Sequence, residues 1–255
     1  MSEFTGDNAK QKDLRLQPMI SVVIPVFNEA AMVADSAREY LQAVRERGFD
    51  VELILAENGS SDQTAAIVDQ LASDNREIRA LHLPEPNYGG AMRAGIVAAT
   101  AAYVICEEID LCDVDFLVRA LQLLQSPSKV PLDFVVGSKA MSGANDQRPL
   151  FRRLATRVYN RCLRVALGFR GTDTHGLKAM RRVAVLPYVA ACVVEHDVFA
   201  SELVIRCQRG GLQTREIPID LREKRQPSIH LWRRVPRVLR QVWRLFWAIR
   251  FGVRV

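Results

Sequence analysis

The 255-residue chain has no apolar run long enough to cross a bilayer: the longest, Val183–Val194, contains Pro187 and falls well short of the ~20 residues a spanning helix needs. Cysteine is scarce and scattered. Cys106, Cys112, Cys162, Cys192 and Cys207 show no CxxC spacing, which argues against a disulfide framework or a zinc site and leaves them as reduced thiols, most of them filling the core. The N-terminal stretch MSEFTGDNAKQKD lacks the apolar segment of a secretory signal, so residues 1–18 are expected to be a flexible leader of a cytoplasmic protein. Acid is nearly missing from the other end. Between Arg222 and Val255 stand ten Lys or Arg and the single acid Glu223, a local charge of +9 against +6 for the whole chain, so residues 1–221 carry −3. No internal repeat is present.

What remains is ordinary globular composition, 49% hydrophobic and 25% charged. The run MISVVIPVF (19–27) is β-branched and gives way at Asn28 to a helix-forming segment that stops at Gly48. The cycle repeats with VELILA (51–56) and the helix after Ser60–Asp62, then EIRALHL (77–83) and the helix opened by Gly89-Gly90. AYVICEEI, the helix DVDFLVRALQLLQ and DFVVGS (133–138) follow. Strands alternating with helices predict an α/β fold with a mainly parallel sheet and helices on both faces. The second half is less regular: a helix over 148–168, a polar loop entering a short strand over 171–182, a helix from His196 and a strand over 212–219.

Ligands of such sheets sit at the C-terminal strand ends, which directs attention to Pro25–Glu29, Glu57–Asp62, Glu108–Asp113 and Gly137–Lys139. Glu108 and Asp110 stand at i and i+2 after an apolar strand. With a bend there, both can face one hard cation such as Mg²⁺ or Mn²⁺.

Several segments in order, VVIPVFNEA (22–30), ENGSSDQT (57–64), NYGGAMRAG (87–95), EEID (107–110), VVGSK (135–139), the helix bearing Arg152, Thr156 and Asn160, DTHGLKAMRR (173–182) and Glu216-Ile217-Pro218, resemble family 2 glycosyltransferases with the GT-A fold. The likeness is to the dolichyl-phosphate mannose synthase-like polyprenyl-phosphate glycosyltransferases and runs over residues 19–228. It implies inverting transfer of a sugar from a nucleoside diphosphate to a lipid phosphate. On that resemblance Pro25, Phe27, Asn28, Glu29, Glu57, Asn58 and Asp62 would line the nucleoside, Gly89, Gly90 and Arg93 would pack under the diphosphate, and Glu108 and Asp110 would hold the metal. Asn28 reads equally as a helix N-cap. The chain departs from the family in Glu57-Asn58 for Asp-Asp, in Glu108 for the first Asp of Asp-X-Asp, in Cys112 for a Gln and in Phe199-Ala200-Ser201-Glu202 for Phe-Asp-X-Glu.

A phosphate acceptor is mostly dianionic at pH 7 and needs cations rather than a base. Lys139, Arg148, Arg152 and Lys178 are the candidates, with Asp110 beside them in the catalytic set. A hydroxyl acceptor would instead need a carboxylate base, Asp197 or Glu202. A degenerate nucleotide-binding relative is a further reading, and a nucleic-acid partner leaves the strand-end carboxylates unexplained. The tail, residues 229–255, places Trp232, Val235, Val238, Leu239, Val242, Trp243, Leu245, Phe246 and Ile249 within an arc of about 160° opposite Arg233, Arg234, Arg237, Arg240 and Arg244. It reads as amphipathic helices, broken or begun at Pro236. They would hold the domain on the inner face of an anionic membrane, against a membrane partner or a second copy of the chain, or else dock on the protein's own core.

Overall fold

The computed structural model describes residues 20–221 and 231–252. The leader expected over 1–18 and the junction 222–230 lie outside the described residues, as do the side chains of Trp232 and Val235.

Uninterrupted β-branched and aliphatic runs make strands that can be covered on both faces. β1 (Ile20–Val26) and β2 (Val51–Asn58) are buried at every position. With β3 (Ile78–Leu83), β4 (Tyr103–Cys106), β5 (Phe134–Ser138), β7 (Lys178–Arg181) and β8 (Thr214–Pro218) they form a seven-stranded sheet in the order β3-β2-β1-β4-β7-β5-β8. Its pairings are parallel except where β7 runs antiparallel between β4 and β5. A second, two-stranded sheet joins β6 (Asn145–Asp146) to β9 (Asp220–Leu221).

The reversal of β7 fixes the site. At the C-terminal edge the parallel strands contribute their last residues, whereas β7 contributes its first, so Lys178 pairs with Cys106 of β4 and Val136 of β5. Two glycines let the incoming loop approach β5: a Cβ on Gly176 would lie 1.5 Å from the Gly137 carbonyl oxygen.

Alternate strand residues feed two cores. Val22, Ile24, Leu53 and Leu55 pack with α1 (Val33–Glu46), α2 (Thr64–Asp74) and α4 (Val114–Gln125), while Val23 and Ile54 pack with α3 (Tyr88–Ala98), α5 (Leu150–Leu167), α6 (Arg182–Ala191), α7 (Phe199–Arg209) and α8 (Leu231–Phe251). Helices on both faces are as the alternation predicts. Sequence pattern gives no helix over α6, where Pro187 lies inside the element. In α8 Pro236 interrupts nothing: one helix runs through it. α8 also docks on the chain's own core through Leu245, Ala248 and Gln241. The opposite edge of its predicted apolar arc, Leu239 and Trp243, is exposed at 64% and 60%.

α3 can lie on β1 only because residue 95 is glycine, since a Cβ there would stand 2.2 Å from Val23 Cγ1. Helix propensity alone would make Gly95→Ala stabilising by about 1 kcal/mol. The expected outcome is the opposite sign, a loss of about 1–3 kcal/mol by overpacking, read from urea denaturation of the two proteins.

Candidate active site

The loops after β1 and β2 are level because the strands are in parallel register, Val26 opposite Glu57. Backbone N–H groups of the first loop donate to side chains of the second: Asn28 N to Ser60 Oγ (2.9 Å), Glu29 N to Thr64 Oγ1 (2.8 Å) and Ala30 N to Asp62 Oδ2 (3.2 Å). Asn28 Oδ1 returns the contact by accepting from Ser61 N at 2.8 Å. Asn28 has φ 54°, in the left-handed region, and the N-cap of α1 is Met32, so the cap reading of Asn28 falls. Pro25 is buried within β1, while Phe27 at the loop's edge is 39% exposed. Glu29 is buried.

Asn58 explains one departure from the family pattern. Its Nδ2 donates to Val26 O at 2.8 Å and its Oδ1 accepts from Asn87 N at 3.0 Å, so the buried amide joins the end of β1 to the start of α3. A carboxylate has no proton for the first of these bonds. Asn58 therefore positions the loops, and its amide is engaged on both ends by protein. Glu57, also buried, accepts from Ser60 N at 2.6 Å and is held below the usual carboxylate range: burial opposes its charge, but the bonds from Ser60 and His82 outweigh it.

Asn87 caps α3 by accepting from Gly90 N at 2.8 Å, and the same Oδ1 accepts from His196 N. Both glycines are steric requirements. A Cβ on Gly89 would meet Phe199 and the His196 backbone, and one on Gly90 would meet the Asn87 side chain. Arg93, expected under the diphosphate, instead lies over the Phe199 ring at 5.3 Å and donates to Cys192 O at 2.9 Å.

After β4 the chain bends, with the N–H groups of Leu111 and Cys112 both donating to Glu108 O at 3.0 Å, which puts Glu108 and Asp110 on one turn. Asp113 caps α4 by accepting from Phe116 N at 2.9 Å. Burial raises the Glu108 carboxyl, with Lys139 and Lys178 lowering it and Asp110 and Asp173 raising it. Tyr88, to which the sequence assigned no role, is partly buried with its phenol pushed well up, by desolvation first and then by Glu108, Cys106 and Asp110.

Lys139 and Lys178 meet these acids from the other side. Lys139 Nζ is 3.8 Å from Asp173 Oδ2, and Lys178, 1% exposed, donates from Nζ to Gly176 O at 2.6 Å. Burial lowers Lys178, and Cys106, Asp173 and Glu108 partly restore it. Asp173 is itself fixed by Glu216: Thr172 N (2.7 Å) and Asp173 N (3.2 Å) donate to Glu216 Oε1. Arg152 stands half-buried in the first turn of α5. Arg148, expected at the acceptor phosphate, forms a nearly buried bidentate pair with Asp146 at 2.9 and 2.8 Å and reaches Thr156 Oγ1 of α5 at 3.5 Å.

Glu202 is a clear correction. Offered by the sequence as a base for a hydroxyl acceptor, it is fully buried in α7, accepting from Val193 N, Val194 N and Arg206 Nε at 2.9, 2.7 and 2.7 Å. His175, unassigned by sequence, is partly buried. Its Nε2 donates to Asp197 O at 2.9 Å, and its Nδ1 contacts Thr174 Oγ1, which continues through Ser201 to Tyr159.

A mostly parallel sheet with a reversed strand, and acids and lysines gathered at its C-terminal edge, is the GT-A glycosyltransferase fold. Among solved structures the chain is similar to glucosyl-3-phosphoglycerate synthase from Mycobacterium tuberculosis crystallised with Mn²⁺, UDP and phosphoglyceric acid: TM-score 0.63, 20% identity, 91% of this chain and 78% of that one. The family described as Glycosyl transferase family 2 matches residues 21–186, and the chain belongs to it. Among curated proteins it is similar to Glycosyltransferase AglD of Haloferax volcanii, 27% identical over 241 residues, covering 92% of this chain and 38% of that protein. It is also similar to the undecaprenyl-phosphate 4-deoxy-4-formamido-L-arabinose transferase of Pectobacterium carotovorum, 32% identical over 172 residues, covering 64% and 49%. The chain thus spans less than half the length of these relatives.

Burial, reinforced by Lys139, holds His175 down at about 4. The folded value lies below the unfolded value of about 6.5, so the unfolded state binds the proton first. Its contribution is complete above pH 6.5 and is lost as pH falls toward 4, on the order of 3 kcal/mol. The expected outcome is a smaller drop in unfolding free energy between pH 7 and pH 4.5 for His175→Gln than for the parent protein.

Proposed function

We propose that the chain transfers a glycosyl group, with inversion, from a nucleoside diphosphate sugar to a polyprenyl phosphate at the cytoplasmic face of a membrane. The observation that carries this reading is the meeting of Glu108 and Asp110 with Lys139 and Lys178 at one strand edge. Glu108 and Asp110 are hard oxygen donors in mutual repulsion, and they suit Mg²⁺ or Mn²⁺. Among the described residues no group of three or more His, Cys, Asp or Glu converges to hold a metal, so donor oxygens would complete its shell. When bound, the cation would offset diphosphate charge. The remaining chemistry belongs to the chain. Phe27, Asn28, Glu29, Glu57 and Asp62 face or shape the nucleoside pocket. Lys139, with Arg152 at the start of α5, receives the acceptor phosphate and aligns it on the anomeric carbon, with the buried Lys178 adding positive charge from behind. The phosphate is its own nucleophile, so no base is required. Glu202 is engaged by Val193, Val194 and Arg206, which leaves Asp197 as the base a hydroxyl acceptor would need, and the undecaprenyl-phosphate relative supports the lipid phosphate.

The acceptor's location accounts for two exposed apolar stripes. On α5, Leu150, Phe151, Leu154, Val158 and Val165 are 55–78% exposed and lie within about 100° of arc, opposite the buried Asn160, Leu163 and Leu167. On α8, Trp243, Trp247 and Phe251 stack in succession at 5.9 and 4.7 Å, with Trp243 and Phe251 exposed. The helices touch through Arg250 Nε, which donates to Ala166 O. Neither helix contains an acid, and together they carry eleven arginines. Apolar stripes flanked only by positive charge suit an anionic lipid surface. No helix among the described residues is long and apolar enough to cross a membrane.

Incubation with a panel of nucleotide sugars and undecaprenyl or dolichyl phosphate tests the reaction. An acid-labile glycosyl phosphate lipid is expected, abolished by Asp110→Ala and by excess chelator. Full activity in chelator ends the metal assignment. Lys139→Gln should slow turnover by roughly one to two decades, the cost of a charge-assisted contact of ~1.5–3 kcal/mol, with a smaller change in nucleotide affinity. For the membrane, Leu154→Gln with Trp243→Gln should lower co-sedimentation with anionic vesicles and leave the fold intact; unchanged binding overturns the lipid-facing assignment.

A further inference from the structure

His82 has no place in the chemistry above, yet the sheet register carries it to the donor pocket. Glu57 of β2 pairs with His82 of β3, so their side chains meet at the edge where Glu57 closes its loop. His82 Nδ1 is 3.3 Å from Glu57 Oε2, and Nε2 is 2.8 Å from Asp69 Oδ1, which α2 supplies. Among the described residues these carboxylates, one from each neighbouring element, are the charged groups acting on the ring.

Both ring nitrogens face carboxylate oxygens. A neutral imidazole has one N–H and one lone pair, so it can donate to one acid only and must turn a lone pair on the other. An imidazolium donates to both. Burial works against its charge, but the two acids prevail and the imidazole titrates above its ordinary value. The other Glu57 oxygen already accepts from Ser60 N, so the imidazolium supplies the second of two fixed points on that carboxylate.

We propose that His82 is a positioning residue of the donor site: as an imidazolium bridging Glu57 and Asp69 it sets the orientation of Glu57, so that nucleotide affinity falls as rising pH removes its proton. The proposal rests on the reading of Glu57 as part of the donor pocket. His82 touches no substrate and acts through Glu57. Asp69, 63% exposed on α2, acts one step further out by supporting the charge of the ring.

The experiment measures the dissociation constants of UDP and GDP at fixed Mn²⁺ from pH 6 to 8.5, for the full chain and for His82→Gln, Asp69→Asn and Glu57→Gln. At pH 6 the parent should bind its preferred nucleotide about tenfold more tightly than His82→Gln, and the two should converge by pH 8.5. Taking the ratio removes the titration of the nucleotide itself. Asp69→Asn should shift the parent's profile to lower pH without abolishing it, an effect that a purely structural role would not produce. A ratio independent of pH overturns the proposal and leaves the donor reading standing. If Glu57→Gln binds nucleotide like the parent at every pH, or if neither nucleotide binds the parent, both fail. An NMR titration of the His82 ring gives a check that needs no nucleotide: a midpoint at or below the ordinary imidazole value overturns the bridging role.

Discussion

A buried ammonium is the constraint around which this site is built. Lys178 lies within the sheet with its ammonium hydrogen-bonded to the Gly176 carbonyl oxygen, so the cost of taking its charge out of water must be met by acids nearby. Glu108 from the turn after β4 and Asp173 from the loop before β7 answer it, and Lys139 adds a second cation against Asp173. Each arrives on a different element. The close approach of Gly176 to Gly137, the reversed strand and the Glu216 clasp on Thr172 and Asp173 all serve to bring them together. The result is a set of opposed charges with little internal slack, suited to a substrate pair that brings negative charge from both sides.

The donor side is made differently. It has few ion pairs and many backbone bonds to short side chains, with the loops after β1 and β2 interlocked through Ser60, Asp62, Thr64 and Asn28, and Asn58 and Asn87 extending the chain of contacts to α3 and His196. Such a pocket is ordered before any ligand arrives, which reduces the conformational entropy that binding must still remove. The two halves therefore differ in kind: a rigid cradle for a nucleotide, and an electrostatic one for a phosphate.

How much of this the sequence disclosed follows from range. Period and turn chemistry are local, so the alternation of strands and helices and the strand-end position of Glu108 and Asp110 could be read directly. Strand order is not local. The pairing of His82 with Glu57 and the arrival of Lys178 at Cys106 depend on registers that no short window contains. Glu202 was illegible for the same reason: a charged residue on a helix looks solvated until a loop from elsewhere presents it with N–H groups. α6 escaped notice because Pro187 breaks the pattern where the structure tolerates it.

α5 has a consequence for the physical state of the protein. A helix that is apolar toward its own domain and apolar again toward the outside cannot be wetted well in any orientation, and the stripe from Leu150 to Val165 is its unwetted side. Net positive charge keeps copies apart at long range, but salt shortens that reach to about 8–10 Å. The colloidal behaviour of the free chain is thus governed by ionic strength: dispersed when dilute and low in salt, and increasingly self-adhesive as screening lets the stripes of neighbouring molecules find one another.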